Sequence, residues 1–290
     1  MTHDTFKCGE LEAVIGDNSA DGVHRAGYNG VWSLRHASAD RSLFVPAVAG
    51  LNHEHIFDGA TNGRQEVFFE PRHAPMTFQR LGEFEAELHQ PPTPTFHLES
   101  WTRFKLVEPH YIDMTYRCRP HQHVFRFDYI GLFWASYMNA PDDKSMYFRG
   151  SLGGGSAGWM QLCTQRHNDE STVLHRGDEF DLKFTPEYRD CLYKNISPMR
   201  FDLPFYYGLF GRHVFLVMFD RTAGIRFTHS PSGGGFTPER QTTNPAWDFQ
   251  FILPRYEVGE DYSFRVRTVL REACSREEIL AEHERWRATL

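Results

Sequence analysis

The sequence predicts an all-β chain: one large antiparallel two-layer β-sandwich with a short C-terminal helix, spanning residues 1–290 as a single domain. Three observations predict it. Aromatic residues make up 15% of the chain, with 25 Phe, 12 Tyr and 6 Trp, and such side chains suit pleated, packed surfaces. Short runs of alternating apolar and polar residues recur between clusters of Gly, Pro, Asn and Asp. Helical patterns never alternate with these runs, which excludes a parallel α/β sheet. Antiparallel strand is therefore expected over more than about half of the residues, above the usual share.

The elements follow in order. Residues 11–16 (LEAVIG), 30–36 (GVWSLRH) and 42–46 (SLFVP) read as short strands between turns. Residues 49–59 (AGLNHEHIFDG) crowd polar groups between two glycines; in extended form His53 and His55 share one face and Glu54 takes the other. Strands are expected at 65–71 (QEVFFEP) and 83–88 (EFEAEL), then an exposed proline-rich connection at 90–96. Two more strands flank a turn at Glu108, Pro109 and His110. The run from Val124 to Met138 is rich in aromatic and β-branched residues and reads as the central strand, covered on both faces. The glycine-rich loop 150–158 matches no phosphate-binding motif. Further strands are expected at 159–163, 179–184, 205–210, 213–219, 247–253 and 262–270. Ser275 and Glu278 form a capping box that starts the C-terminal helix.

Composition excludes several function classes. A formal net charge of −7 argues against nucleic-acid binding, which needs basic surface. No apolar run is long enough to cross a membrane as a helix, and residues 1–14 lack the features of a signal peptide. Five widely spaced cysteines with no CxxC pair favour reduced thiols in a cytoplasmic protein. Oligomeric state has no signature here.

Three stretches carry a resemblance. Residues 43–55 (LFVPAVAGLNHEH), 136–139 (SYMN) and 251–264 (FILPRYEVGEDYSF) together resemble the galactose-mutarotase-like, or aldose 1-epimerase-like, family. The second is similar to part of the HSYFN stretch that bears the catalytic acid in aldose epimerases, and the third to the closing strands around a P-G-E turn. The resemblance implies a β-supersandwich that binds carbohydrate in a concave face. It also implies a defect, because Ala135 fills the histidine position and residues 225–232 hold no glutamate for the family's base. Sugar binding without meaningful acceleration of anomer exchange in glucose or galactose is the expectation.

The candidate site residues follow from chemistry. Residues i and i+2 of a strand share a face, so His53 with His55, and His121 with His123, are expected to converge on one cavity. Imidazole and carboxylate together supply proton transfer near neutral pH. His53, His123, His229 and Asp248 are the candidate catalytic residues. Glu54, Arg72, His121, Tyr137, Asn139, His167 and Trp247 are the candidate substrate-binding residues. Arg64, Arg212 and Arg226 join Arg72 as possible grips on an acidic sugar. No cofactor is expected and no residue is assigned to a metal, although two facing His-x-His strands could hold a divalent ion. The reading is a carbohydrate-active isomerase, lyase or hydrolase. Its rivals are a cupin-like metal enzyme and a noncatalytic sugar-binding module.

Overall fold

The computed structural model of the chain describes residues 1–61 and 63–290. Strand occupies 46% of the chain and helix 9%, a little under the half expected. One long sheet runs in hydrogen-bonded order through Asn52–Phe57, Ile130–Ala135, Ala246–Leu253, Ile225–Ser230 and Thr172–His175. It continues through Ile196–Phe201, Met146–Leu152, Phe205–Phe210, His213–Phe219, Tyr262–Glu272, Tyr111–Pro120, Leu98–Val107, Glu85–Gln90 and Thr77–Gly82. All pairings are antiparallel except that of Thr172–His175 with Ile196–Phe201. A separate three-stranded sheet, His3–Cys8, Leu11–Gly16 and Gly30–His36, packs alongside.

The long sheet folds over on itself, and aromatic contacts mark the two layers. Trp134 and Phe249 meet Phe264 with ring centroids 5.1 and 6.0 Å apart, and Tyr116 meets Trp134 edge-on at 4.7 Å. Thus the strands at 130–135 and 246–253 lie face to face with those at 111–120 and 262–272. Large rings fill the space between layers with few contacts wasted on water. The central strand is covered on both sides as expected. Ile130, Leu132 and Trp134 enter this interior, while Phe133 and Ala135 join a second apolar cluster on the outer face.

Three local expectations are corrected. The central strand is confined to Ile130–Ala135. Before it, the Arg126 N–H bonds the Asp58 carboxylate at 3.0 Å and Asp128 sits at φ 59°, a left-handed conformation that ends extended pairing. Residues 65–71 form part of two short helices, Gln65–Phe68 and Glu70–His73, rather than a strand. Pro71 lies in the first turn of the second, with Glu70 beside it and Arg72 and His73 in the last turn, an arrangement suited to helix ends. Residues 179–184 are irregular, because Asp178 caps the Phe180 N–H while pairing with Arg226 at 2.7 Å. The C-terminal helix, Arg276–Arg287, begins at the Ser275–Glu278 capping box, with both reciprocal bonds formed.

Candidate functional site

A cavity of about 320 Å³ opens on the outer face of the strands at 52–57, 130–135, 225–230 and 246–253. Its size is at the low end for small-molecule sites. The two short helices, Tyr28 and residues 189–193 close over it, and residues 167–168 contribute to its lining.

Strand geometry selects the side chains in the floor. Along 246–253, Trp247 and Phe249 point into the sandwich and Asp248 and Ala246 into the cavity. The first strand departs from simple alternation. His53 lies opposite Trp134 and His55 opposite Phe133, so Glu54 is an extra residue in a bulge. A bulge sets two consecutive side chains toward one face. Glu54 and His55 therefore both line the cavity, while His53 is turned into the core.

Glu54 is held tightly. The Tyr137 hydroxyl donates to its Oε1 at 2.6 Å and Arg72 Nη1 at 3.1 Å. Arg72 Nε donates to the Gly27 carbonyl at 2.7 Å, and the guanidinium lies 4.0 Å from the Tyr28 ring centre. Burial raises the Glu54 carboxyl, opposed by the Arg72 charge and the Tyr137 hydroxyl, which favour its ionised form. Burial alone would lower Arg72, but the Glu54 charge raises it above its ordinary value. Tyr137 is pushed well above the ordinary range, by burial first and then by Glu54, and remains a donor.

His55 has a defined tautomer. Its Nδ1 lies 2.9 Å from the Phe68 carbonyl, which can only accept, so Nδ1 carries the proton. Burial lowers this imidazole to about 3, leaving it neutral with a lone pair on Nε2. That nitrogen is 3.9 Å from Glu54 Oε2. The two atoms form an acceptor pair against which a ligand hydroxyl can donate.

Asp248 is the opposite case. Its Oδ1 accepts the Ser136 N–H at 3.0 Å, and among the described residues no cation pairs with it. Burial, then the Glu54 charge, pushes its carboxyl well above the usual range. It faces the same cavity as Glu54 but lacks the cation that favours the ionised form there. His167 is exposed at the cavity edge, with Nε2 2.7 Å from Ser232 Oγ and Nδ1 3.1 Å from Ser230 Oγ.

The cavity thus gathers Glu54, Arg72, Tyr137, His167 and Asp248 from the sequence candidates. The others lie elsewhere. His53 stacks on Trp134 at 4.8 Å, and neither of its ring nitrogens has a partner. His229 is a satisfied core histidine, accepting from Thr164 N–H through Nδ1 and donating to the Lys144 carbonyl at 2.8 Å. Trp247 donates to the same carbonyl at 2.9 Å and packs where Gly208 has no side chain; a Cβ there would lie 2.1 Å from the ring. His121 pairs with Glu99 at 2.7 Å, and His123 with the Tyr256 hydroxyl at 2.6 Å, both outside the cavity. Asn139 donates to the Ser42 carbonyl at 3.0 Å and fixes a loop. The two His-x-His pairs therefore do not converge, and among the described residues no group of three or more His, Cys, Asp or Glu is placed to hold a metal. Arg226 is committed to Asp178, while Arg64 and Arg212 are exposed away from the cavity. Tyr28, Arg189 and Tyr193 line it without having been singled out. Only the density of aromatic and charged residues at 184–194 hinted at the last two.

No family model matches the chain, and no curated protein matches it in sequence. Solved structures do match in fold. A galactose mutarotase related enzyme from Lactobacillus acidophilus superposes with a TM-score of 0.51 at 10% identity, covering 93% of this chain and 97% of that one. A galactose mutarotase-like protein from Lactobacillus casei gives 0.51 at 9% identity, over 93% and 100%. A candidate aldose 1-epimerase from Escherichia coli K12 gives 0.51 at 9%, over 94% and 99%. The chain has the galactose-mutarotase-like fold.

Proposed function

We propose that the cavity binds a sugar ring and that Glu54 and Asp248 act on it as base and acid, in an isomerase- or lyase-type proton transfer. One observation carries the reading: two buried carboxyls face one cavity, Glu54 beside the Arg72 cation and the Tyr137 hydroxyl, Asp248 with no cation beside it among the described residues. A cation beside one carboxyl and none beside the other suits the first to act as base and the second as acid. Glu54 Oε2, with His55 Nε2 beside it, accepts a proton from the ligand, while Arg72 and Tyr137 hold the carboxylate in place. Asp248 supplies a proton to the position where negative charge develops. Phe68, Phe69 and Phe133 offer the apolar surface on which sugar C–H faces pack. The names of the fold's solved relatives, mutarotases among them, support carbohydrate as the ligand class.

Incubation of a sugar and sugar-acid panel in D₂O tests this, with NMR reading two signals at once. The expected result is deuterium uptake, or elimination, at a carbon beside a carbonyl or carboxyl group. Asp248→Asn is expected to lower that rate by roughly 10²–10⁴, the usual worth of an acid–base group. Glucose and galactose anomers are expected to exchange at the buffer rate, since Ala135 stands where the family resemblance calls for the histidine acid. Accelerated anomer exchange without carbon labelling would replace this reading with a plain epimerase.

A further inference from the structure

The cavity also carries information about the charge of its ligand, an inference that rests on the sugar-binding reading above. Two arginines line it, and they are not equivalent. Arg72 is consumed internally, by Glu54, the Gly27 carbonyl and the Tyr28 ring. Arg189 lies with its guanidinium 4.2 Å from the centre of the Phe68 ring, and among the described residues no carboxylate pairs with it. Its neighbour Asp190 is engaged by the Asn195 amide at 2.8 Å. Stacking on an aromatic face restrains a guanidinium while leaving its in-plane N–H fork free for a planar, two-oxygen acceptor. Of the other charged groups in the lining, Arg72 offsets Glu54, and the Asp190 carboxylate is turned to the Asn195 amide rather than to Arg189.

We propose that Arg189 binds the carboxylate of a sugar acid, so that the ligands of this cavity are uronic acids or glycans ending in one. A single planar fork suits a carboxylate, which carries one charge and accepts two parallel N–H bonds. A phosphate ester carries a charge of about −1.5 to −2 and calls for a second cation. Lys194, the next cation along the chain, is turned to the Tyr188 carbonyl at 2.9 Å. With its carboxylate fixed at Arg189, a uronate ring would extend inward toward Glu54, His55 and Asp248.

Titration calorimetry on the intact chain tests the assignment with glucuronate against glucose, galacturonate against galactose, and glucose 6-phosphate as a third arm. Each uronate is expected to bind roughly five- to tenfold tighter than its neutral counterpart, a modest advantage because Arg189 is exposed. Arg189→Ala should collapse that ratio toward one, and Arg189→Lys should restore part of it. The ratio is internal to each variant, so a general loss of affinity does not mimic the result. If neutral sugars bind but uronates gain nothing, or if the preference survives in Arg189→Ala, the inference falls and sugar binding stands. A preference for the phosphate over the uronate overturns the carboxylate assignment. If no sugar of either kind binds, both readings fall together.

Discussion

His53 and His55 stand two residues apart on one strand, yet the first is sealed against Trp134 between the layers and the second faces the cavity. The same division runs along the neighbouring strands, with Trp247 and His229 inside and Asp248 and Ser230 outside. Polar groups occur on both faces, so polarity alone does not mark the site. The difference lies in what the groups are left to do. On the inner face a polar atom is either satisfied, as in His229 and Trp247, or stranded, as in His53, where it can only cost stability. On the outer face Glu54, His55 and Asp248 keep hydrogen-bonding capacity and have a cavity in which to use it.

The largest test of that contrast compares the two carboxyls. Glu54→Gln removes the charge opposite a buried Arg72 and should destabilise the fold by about 3 kcal/mol, the low end for breaking a buried pair, because Arg72 keeps the Gly27 carbonyl. Asp248→Asn should behave in the opposite way. A carboxyl raised in the fold binds a proton that the unfolded chain has released at neutral pH. Its contribution is complete below the unfolded value and is lost as pH rises toward the folded one. The neutral amide removes this penalty, so stability at pH 7 should hold or rise, and the advantage should grow with pH. Urea unfolding of both variants at pH 6, 7 and 8 reads the signs. Equal destabilisation by both would mean that the carboxyls do not hold different protonation states.

Much of the fold was legible because it rests on local chemistry repeated many times. Aromatic and apolar runs between turns located the strands at 205–210, 213–219 and 247–253, and the Ser275–Glu278 box located the helix. The site was less so, and the His-x-His pairs show why. Period-two reasoning put His53 and His55 on one face, but a one-residue bulge at Glu54 reversed their relation. Nothing in NHEH announces a bulge, since it depends on how the strand fits Trp134 and Phe133. The second pair failed differently, because Asp58 draws the chain at Arg126 out of extended pairing from 68 residues away. Glu54, Tyr137 and Asp248 could be singled out by residue type and strand position. Their assembly with Arg72 depends on a helix that the apolar run QEVFFEP disguised as a strand.

A smaller effect probes the inner face. Burial lowers His53 to about 3, so the folded chain refuses a proton that the unfolded chain takes up below about pH 6.5. Stability from this group is complete above the unfolded value and is lost as pH falls toward the folded one, by up to about 1.4 kcal/mol per pH unit. His53→Phe keeps an aromatic ring on Trp134 and removes two unpartnered nitrogens. Stability at pH 7.5 should change by no more than about 1 kcal/mol, a slightly larger ring being offset by the lost polar atoms. The decline between pH 6.5 and 5 should be shallower than in the parent, though not abolished, because His55 and His229 are lowered by burial too. An unchanged slope would show that His53 is not sealed from water.

The smallest effect concerns the histidines that the sequence placed in the site and the fold does not. His121 and His123 lie in the irregular segment before the central strand, paired with Glu99 and with the Tyr256 hydroxyl. Both are exposed, and the Asp128 carboxylate near His123, at 3.7 Å, is exposed as well. Pairs of this kind contribute little, because water competes for the exposed imidazole in each and the Tyr256 hydroxyl keeps the Phe125 N–H as a partner. The double substitution His121→Ala, His123→Ala should therefore shift stability by less than about 1 kcal/mol. It should leave turnover and sugar affinity within about twofold of the parent, the scatter expected of surface changes. Neither residue touches the cavity wall, and the strand that follows is fixed by its own ladder to Asn52–Phe57 and Ala246–Leu253. Assaying the double variant beside Asp248→Asn makes the contrast quantitative. A loss of activity beyond tenfold in the histidine variant would mean that a ligand reaches outside the cavity to this edge, and that the outer floor does not hold the chemistry alone.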